Sequence, residues 1–193
     1  CPRYSGRWEV VSDTLRLGLK LLLITAIATF ALALTQMITE EPIKVQAEKI
    51  GNETRATVLD GAEEFVPLET DNNKYPNIIE AHKGLKDGDI VGYVIKSFNN
   101  GYGGPIEVIV GIGQEGIITG VRISQHSETP GLGAKAQEPG FYEQYQGKPV
   151  SSQLANDEIN AITGATVTSN AVTGAVNYAI DYFSSELGSG GGR

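Results

Sequence analysis

From Leu17 to Ile38 the chain reads LGLKLLLITAIATFALALTQMI, 22 residues in which Lys20 is the only charge. As a helix this run is about 33 Å long, enough to cross the hydrocarbon core of a bilayer. Lys20 sits near its start, where its stem can lie along the apolar surface and its ammonium can reach the interface. A buried core helix is the alternative, but such a long uncharged run is unusual there. No small-residue cleavage pattern with a new mature start follows it, so the segment reads as a retained anchor rather than a removed signal peptide. The remainder divides into residues 1–16 before the span, 39–187 after it, and a Gly/Ser-rich tail at 188–193, which reads as flexible and as a remnant.

Charge orients the span. Before Leu21, Arg3, Arg7, Arg16 and Lys20 outweigh Glu9 and Asp13 by two; the whole chain carries −8, so the rest carries −10. Basic flanks stay on the cytoplasmic side, which puts residues 1–16 in the cytoplasm and the acidic domain outside it. So acidic a domain repels a phosphate backbone and is not a nucleic-acid binder. The single cysteine, Cys1, excludes an intramolecular disulfide, an iron–sulfur cluster and a Cys-based zinc site. At the very start of the chain it reads as a processed or incomplete end rather than a lipidated one, because a lipidated cysteine would lie outside. His82 and His126 are far apart and lack acidic companions at ligand spacing, so no metal site is expected.

Residues 39–187 suit one loop-rich α+β domain. Thr39 to Pro42 leaves the membrane, and 43–50 extends as a juxtamembrane helix. The stretch 57–68 reads as a short helix or turn, and 71–77 as a polar loop around Pro76. Ile90 to Phe98, Ile106 to Ile112 and Ile117 to Ser124 alternate and are rich in β-branched residues, so they read as strands. The last two, joined across Gln114-Glu115-Gly116, form a hairpin, which makes the sheet mostly antiparallel. Glu138 to Gln146 is a short helix. Thr168 to Phe183 is the clearest soluble helix, with Val172, Ala175, Val176, Ala179, Ile180 and Phe183 on one face and Thr168 or Ser169 as its cap.

The chemistry gathers just before that helix, in Ile162-Thr163-Gly164-Ala165-Thr166-Val167-Thr168-Ser169. Gly164 permits a tight turn and a close ligand, the helix N-terminus attracts anions, and Thr166 supplies a hydroxyl. The octapeptide resembles the [ST]-G-A-[TS]-x-[ST]-S signature of the FMN-binding domain in the G subunit of Rnf complexes, shared with the C subunit of the sodium-pumping NADH:quinone reductase. Gly101-Tyr102-Gly103-Gly104-Pro105-Ile106-Glu107-Val108 and His126-Ser127-Glu128-Thr129-Pro130-Gly131-Leu132-Gly133 are similar to two further segments of that family, in the right order. The likeness includes the apolar span. One position departs from it: the family has an acid three residues before the first Ser/Thr, which serves recognition by the FMN transferase, whereas this chain has Asn160, with Asp157 out of register.

The resemblance implies FMN joined by a phosphoester to Thr166, the flavin ring itself unmodified and tuned by contacts. Thr163, Gly164 and Ala165 would shape the turn, and Thr168 and Ser169 would donate to phosphate. Glu128, Thr129, Gly131, Leu132 and Gly133 would form a loop against the ring, Lys135 would bring positive charge near it, and Gly103 and Gly104 would let backbone approach it or serve a turn. His126 is a weak candidate proton carrier; no residue is assigned catalysis. The chain would then relay electrons among the membrane and redox subunits of a ferredoxin:NAD⁺ oxidoreductase that moves Na⁺ or H⁺, anchored in the lipid bilayer and matured by an FMN transferase. It shows no NAD or ferredoxin site and no intramembrane acid, so it is no complete enzyme. The alternatives are the C subunit of the quinone reductase, a non-flavinylated binding or assembly module of the same fold, and a stand-alone extracellular flavin reductase.

Overall fold

The computed structural model describes residues 6–188; the expectations for Cys1 and for tail residues 189–193 lie outside the described residues. The chain divides between Ile50 and Gly51 into two units. The first is carried by helix α1, Gly6–Ala56, which absorbs both the apolar span and the juxtamembrane helix. Within it Gly18–Gln36 has a mean hydropathy of 2.0 and is long and apolar enough to cross a membrane. Its large apolar side chains, from Leu19 to Leu34, are exposed, as a lipid-facing helix requires.

The second unit holds a five-stranded antiparallel sheet in simple sequential order: β1 Glu64–Leu68, β2 Ile78–Lys86, β3 Asp89–Asn100, β4 Pro105–Gly113 and β5 Ile118–Gln125. The β4–β5 hairpin and the antiparallel arrangement are as expected. Two strands are corrections. Residues 64–68 are an edge strand rather than helix or turn, and β2 had no counterpart in the sequence reading. Pro67 in β1 lacks an N–H, which an edge strand tolerates, and Lys83 and Gly84 interrupt the apolar alternation of β2.

One face of the sheet carries the main core. Ile95, Val108, Val110, Ile112 and Val121 pack beneath helix α3, Thr166–Tyr182, whose Val172, Ala175, Val176, Ala179 and Ile180 lie on its buried side. Ser97 Oγ fastens β3 to α3 by donating to the Ala175 carbonyl at 2.7 Å. Tyr145, at the end of the short helix α2 (Pro139–Tyr142) and the 3-10 turn after it, is fully buried. Its hydroxyl lies 2.8 Å from Thr173 Oγ1. Thr173 gives its own proton to the Ser169 carbonyl, so the tyrosine is the donor.

The other face is covered by a short segment. Val58 and Leu59, just past α1, are 1% and 2% exposed and form a second cluster with Val94 and Ile109. They fit because glycines line their seat. Gly84 and Gly92 face each other across β2–β3, and Gly111 and Gly120 across β4–β5. A Cβ on Gly84 or Gly92 would fall 2.5 or 2.7 Å from a Leu59 methyl, and one on Gly111 would strike the Val58 carbonyl. Thr119 Oγ1 donates to that carbonyl at 2.5 Å. Arg55, in the last turn of α1, pairs with Glu80 on β2 at 3.1 Å.

Candidate functional site

The β3–β4 turn, the loop after β5 and the N-terminus of α3 meet at the same end of the sheet. Antiparallel order makes this so: the β3–β4 turn lies at the end where β5 finishes. Between them opens a cavity of about 580 Å³, within the range of small-ligand sites. The loop after β5 lines it with Glu128, Thr129, Leu132 and Gly133; the start of α3 lines it with Gly164, Ala165, Thr166, Val167 and Thr168; the β3–β4 turn adds Tyr102. A groove of about 900 Å³ lies at the other end of the sheet, among the β2–β3 and β4–β5 turns, and carries none of the three motifs.

Helix α3 begins earlier than the sequence suggested, and this corrects two roles. Ala165 is the N-cap, with no side-chain hydrogen bond capping the helix, and Thr166 is its first residue. Thr168 and Ser169 therefore lie inside the first turn and do not cap it. Both are buried, 1% and 2% exposed. Thr168 Oγ1 donates to Glu128 Oε2 at 2.6 Å. Ser169 Oγ donates to the Ala165 carbonyl at 3.1 Å and accepts the Ile162 N–H at 2.9 Å. The early start leaves Thr166 exposed on the cavity wall. The N–H groups of Thr166, Val167 and Thr168 precede the first carbonyl partner in their own helix, whereas the Ser169 N–H donates to the Ala165 carbonyl at 3.0 Å. Gly164 reaches this arrangement with φ of +80°, a conformation open to glycine at little cost.

Glu128 is the hub of the site. It is only 6% exposed. One carboxylate oxygen accepts from Thr168, and the other accepts the Gly103 N–H at 2.9 Å. Its own N–H donates to His126 Nδ1 at 3.1 Å, so His126 supports the loop. The glycines around it make room for it. A Cβ on Gly133 would fall 2.6 Å from Glu128 Oε2, and one on Gly101 would strike Oε1. A Cβ on Gly103 would strike the Ser127 carbonyl. Gly103 and Gly104 thus serve the turn and the packing, and neither lines the cavity. Gly131 (φ +78°) shapes its loop from outside the lining. Thr163 is exposed beside the cavity, and Lys135 is exposed on the 3-10 turn Gly133–Gln137; neither lines it. Sequence reasoning had assigned no role to Tyr102, 78% exposed, or Val167, 55% exposed, although both stand inside the quoted motifs. Their exposure at a cavity rim was the missing signal. Asn160 is exposed, its main chain clasped by Gln144, whose Oε1 accepts the Asn160 N–H at 2.8 Å and whose Nε2 donates to its carbonyl at 3.3 Å.

Residues 101–181 match the FMN-binding domain family, a range that includes all three motifs. Over 91% of this chain and 93% of the relative, it is 36% identical to the G subunit of the Na⁺-translocating ferredoxin:NAD⁺ oxidoreductase complex of Acetobacterium woodii. Over 87% and 93% it is 35% identical to the G subunit of the ion-translocating oxidoreductase complex of Methanosarcina acetivorans. The chain belongs to the G-subunit family of ion-translocating oxidoreductase complexes. The fold is also found in the C subunit of the Na⁺-translocating NADH-quinone reductase of Parabacteroides distasonis, with a TM-score of 0.51 and 18% identity over 74% of this chain and 96% of that one. Membership of the G-subunit family and the apolar helix together make this chain a membrane protein.

Proposed function

We propose that this chain is the electron-transferring FMN subunit of an Rnf-type ion-translocating oxidoreductase, with FMN joined through its phosphate to Thr166 Oγ1. The observation that carries the reading is the position of Thr166: an exposed hydroxyl on the first residue of an uncapped helix, at the wall of a cavity built from three FMN-domain motifs. The residues fit the group. Forming the ester joins the threonine oxygen to phosphorus with net loss of water relative to free FMN. The adjoining N–H groups and the positive end of α3 would hold the phosphate anion. Leu132, Val167 and Tyr102 give apolar surface for a flat ring, and Thr129 adds a hydroxyl beside it. When bound, FMN supplies an electron carrier; the protein supplies its place and its electrostatic surroundings.

A tether suits a domain outside the cytoplasm, where released FMN would be lost, and the positive flank of the span favours that placement. Maturation would need an FMN transferase, and the electrons would pass to and from neighbouring subunits of the membrane complex. A non-flavinylated module is the competing reading, and Asn160 is the residue that favours it.

Intact mass of the denatured native-host protein decides between them. The expected result is an increment of FMN minus water that Thr166→Ala removes. An unmodified wild-type chain would overturn the reading.

A further inference from the structure

Among the described residues lining the cavity, only Glu128 is charged. Lys135, whose ammonium was expected to bring positive charge to the ring, stands outside. The cavity therefore presents a carboxylate where a flavin site that stabilises added charge would present a cation. That carboxylate is fixed: it is buried, each oxygen accepts a hydrogen bond from a different motif, and the glycines at 101 and 133 are fitted around it.

We propose that Glu128 is a positioning residue that pins the three motifs together and a tuning residue whose charge makes the bound flavin harder to reduce and ties its electrons to protons. The proposal rests on the FMN reading of the site. Two electrons added to a flavin bring two negative charges. One proton leaves the reduced ring anionic, and a second makes it neutral. A buried carboxylate nearby raises the energy of the anionic form, because the repulsion between like charges is poorly screened in such a place. Reduction is then less favourable, and the second proton is retained to higher pH. The same carboxylate, by bridging Gly103 and Thr168, sets the distance between the β3–β4 turn and α3.

The two roles separate in two variants of the full-length chain, purified in detergent after maturation with an FMN transferase. Glu128→Gln removes the charge and keeps the links, since its carbonyl can accept from Gly103 and its amide can donate to Thr168. Glu128→Asp keeps the charge but is too short to reach both donors. The expected result is that Gln raises the two-electron midpoint by at least tenfold in equilibrium constant, about 30 mV, and makes its pH dependence shallower. Asp holds the potential near the wild-type value and lowers the melting temperature. A wild-type potential in Gln, or equal shifts in Gln and Asp, would overturn the tuning role; a wild-type melt in Asp would overturn the positioning role. Wild-type chain without flavin by intact mass would sink the FMN reading and this one with it, whereas flavin present with an unmoved potential sinks this one alone.

Discussion

Gly111→Ala tests whether the glycines under Val58 and Leu59 are there for space. The added methyl would strike the Val58 carbonyl oxygen and come within 2.6 Å of its carbon and 2.7 Å of Thr119 Oγ1. These are backbone atoms and a hydrogen-bonded hydroxyl, so no flexible side-chain end can yield. Overpacking of this kind costs about 1–3 kcal/mol, and losing the Thr119 bond to Val58 costs about 1 kcal/mol more. Against this, alanine reduces the entropy of the unfolded chain and returns about 0.4–1 kcal/mol. The net expectation is destabilisation by about 2 kcal/mol, with the Val58–Leu59 segment lifted from the sheet. Gly113→Ala is the control: it lies two residues on, on the same strand face, and its methyl would meet Thr119 Cγ2 at 3.5 Å, an ordinary contact. Thermal unfolding of both variants in detergent, followed by circular dichroism, should show a clear drop for Gly111→Ala and none for Gly113→Ala. Equal transitions in the two variants would refute the argument, because both change a strand glycine and only one lacks room.

Two pH effects follow from buried groups. Burial pushes the Tyr145 hydroxyl up to about 12, above its ordinary value near 10, so the stability it confers is intact below pH 10 and is lost as pH climbs toward 12. The loss is about 2–3 kcal/mol over that window. Tyr145→Phe should melt lower at pH 8, by about 1 kcal/mol for the Thr173 bond, yet fall less between pH 10 and 12. Burial, with Arg55 adding to it, holds the His82 imidazole below its ordinary value, and its buried Nδ1 has no hydrogen-bond partner among the described residues. The neutral form is the one the fold accepts, so its contribution is present above pH 6.5 and lost on acidification below it. His82→Leu should flatten the acid side of a melting-temperature profile, and an unchanged acid limb would count against this account.

The parts of the fold that the sequence made legible are those with one clear signal. Val172 to Ile180 on α3 follow the helical period, β3 to β5 are rich in β-branched residues, and the apolar span is one unbroken run. The missed strands lack that signal. In β1, Pro67 sits where only an edge can hold it, and in β2, His82 and Lys83 follow Ala81 in place of an apolar alternation. Yet a local signal for β2 was present: Asp87-Gly88, with φ of 52° and 90°, is the two-residue turn that pairs Lys86 with Asp89 and a strong hairpin indicator. The helix start was misplaced for a related reason. Thr168 and Ser169 are good capping residues by type, but their hydroxyls are bound elsewhere: the Thr168 hydroxyl bonds Glu128, forty residues away, and no local pattern contains that partner.

That long-range contact also explains why the motifs are rich in glycine. Loops 101–104 and 126–133 have no strand ladder to hold them, so the geometry of the cavity depends on side-chain contacts between segments distant in sequence. Glu128 supplies these, and a carboxylate buried among three segments needs its neighbours to withdraw their own side chains. Gly101 and Gly133 do so directly, while Gly103 gives space to the Ser127 carbonyl and offers its N–H. Read from sequence, such glycines look like access for a flat ligand. In the folded domain they make room for the acid that links the walls of the cavity. The same physics appears under Val58 on the far face of the sheet, where glycines admit a backbone carbonyl instead of a carboxylate. In both places, the residue type records what must come close, and only the fold shows which group that is.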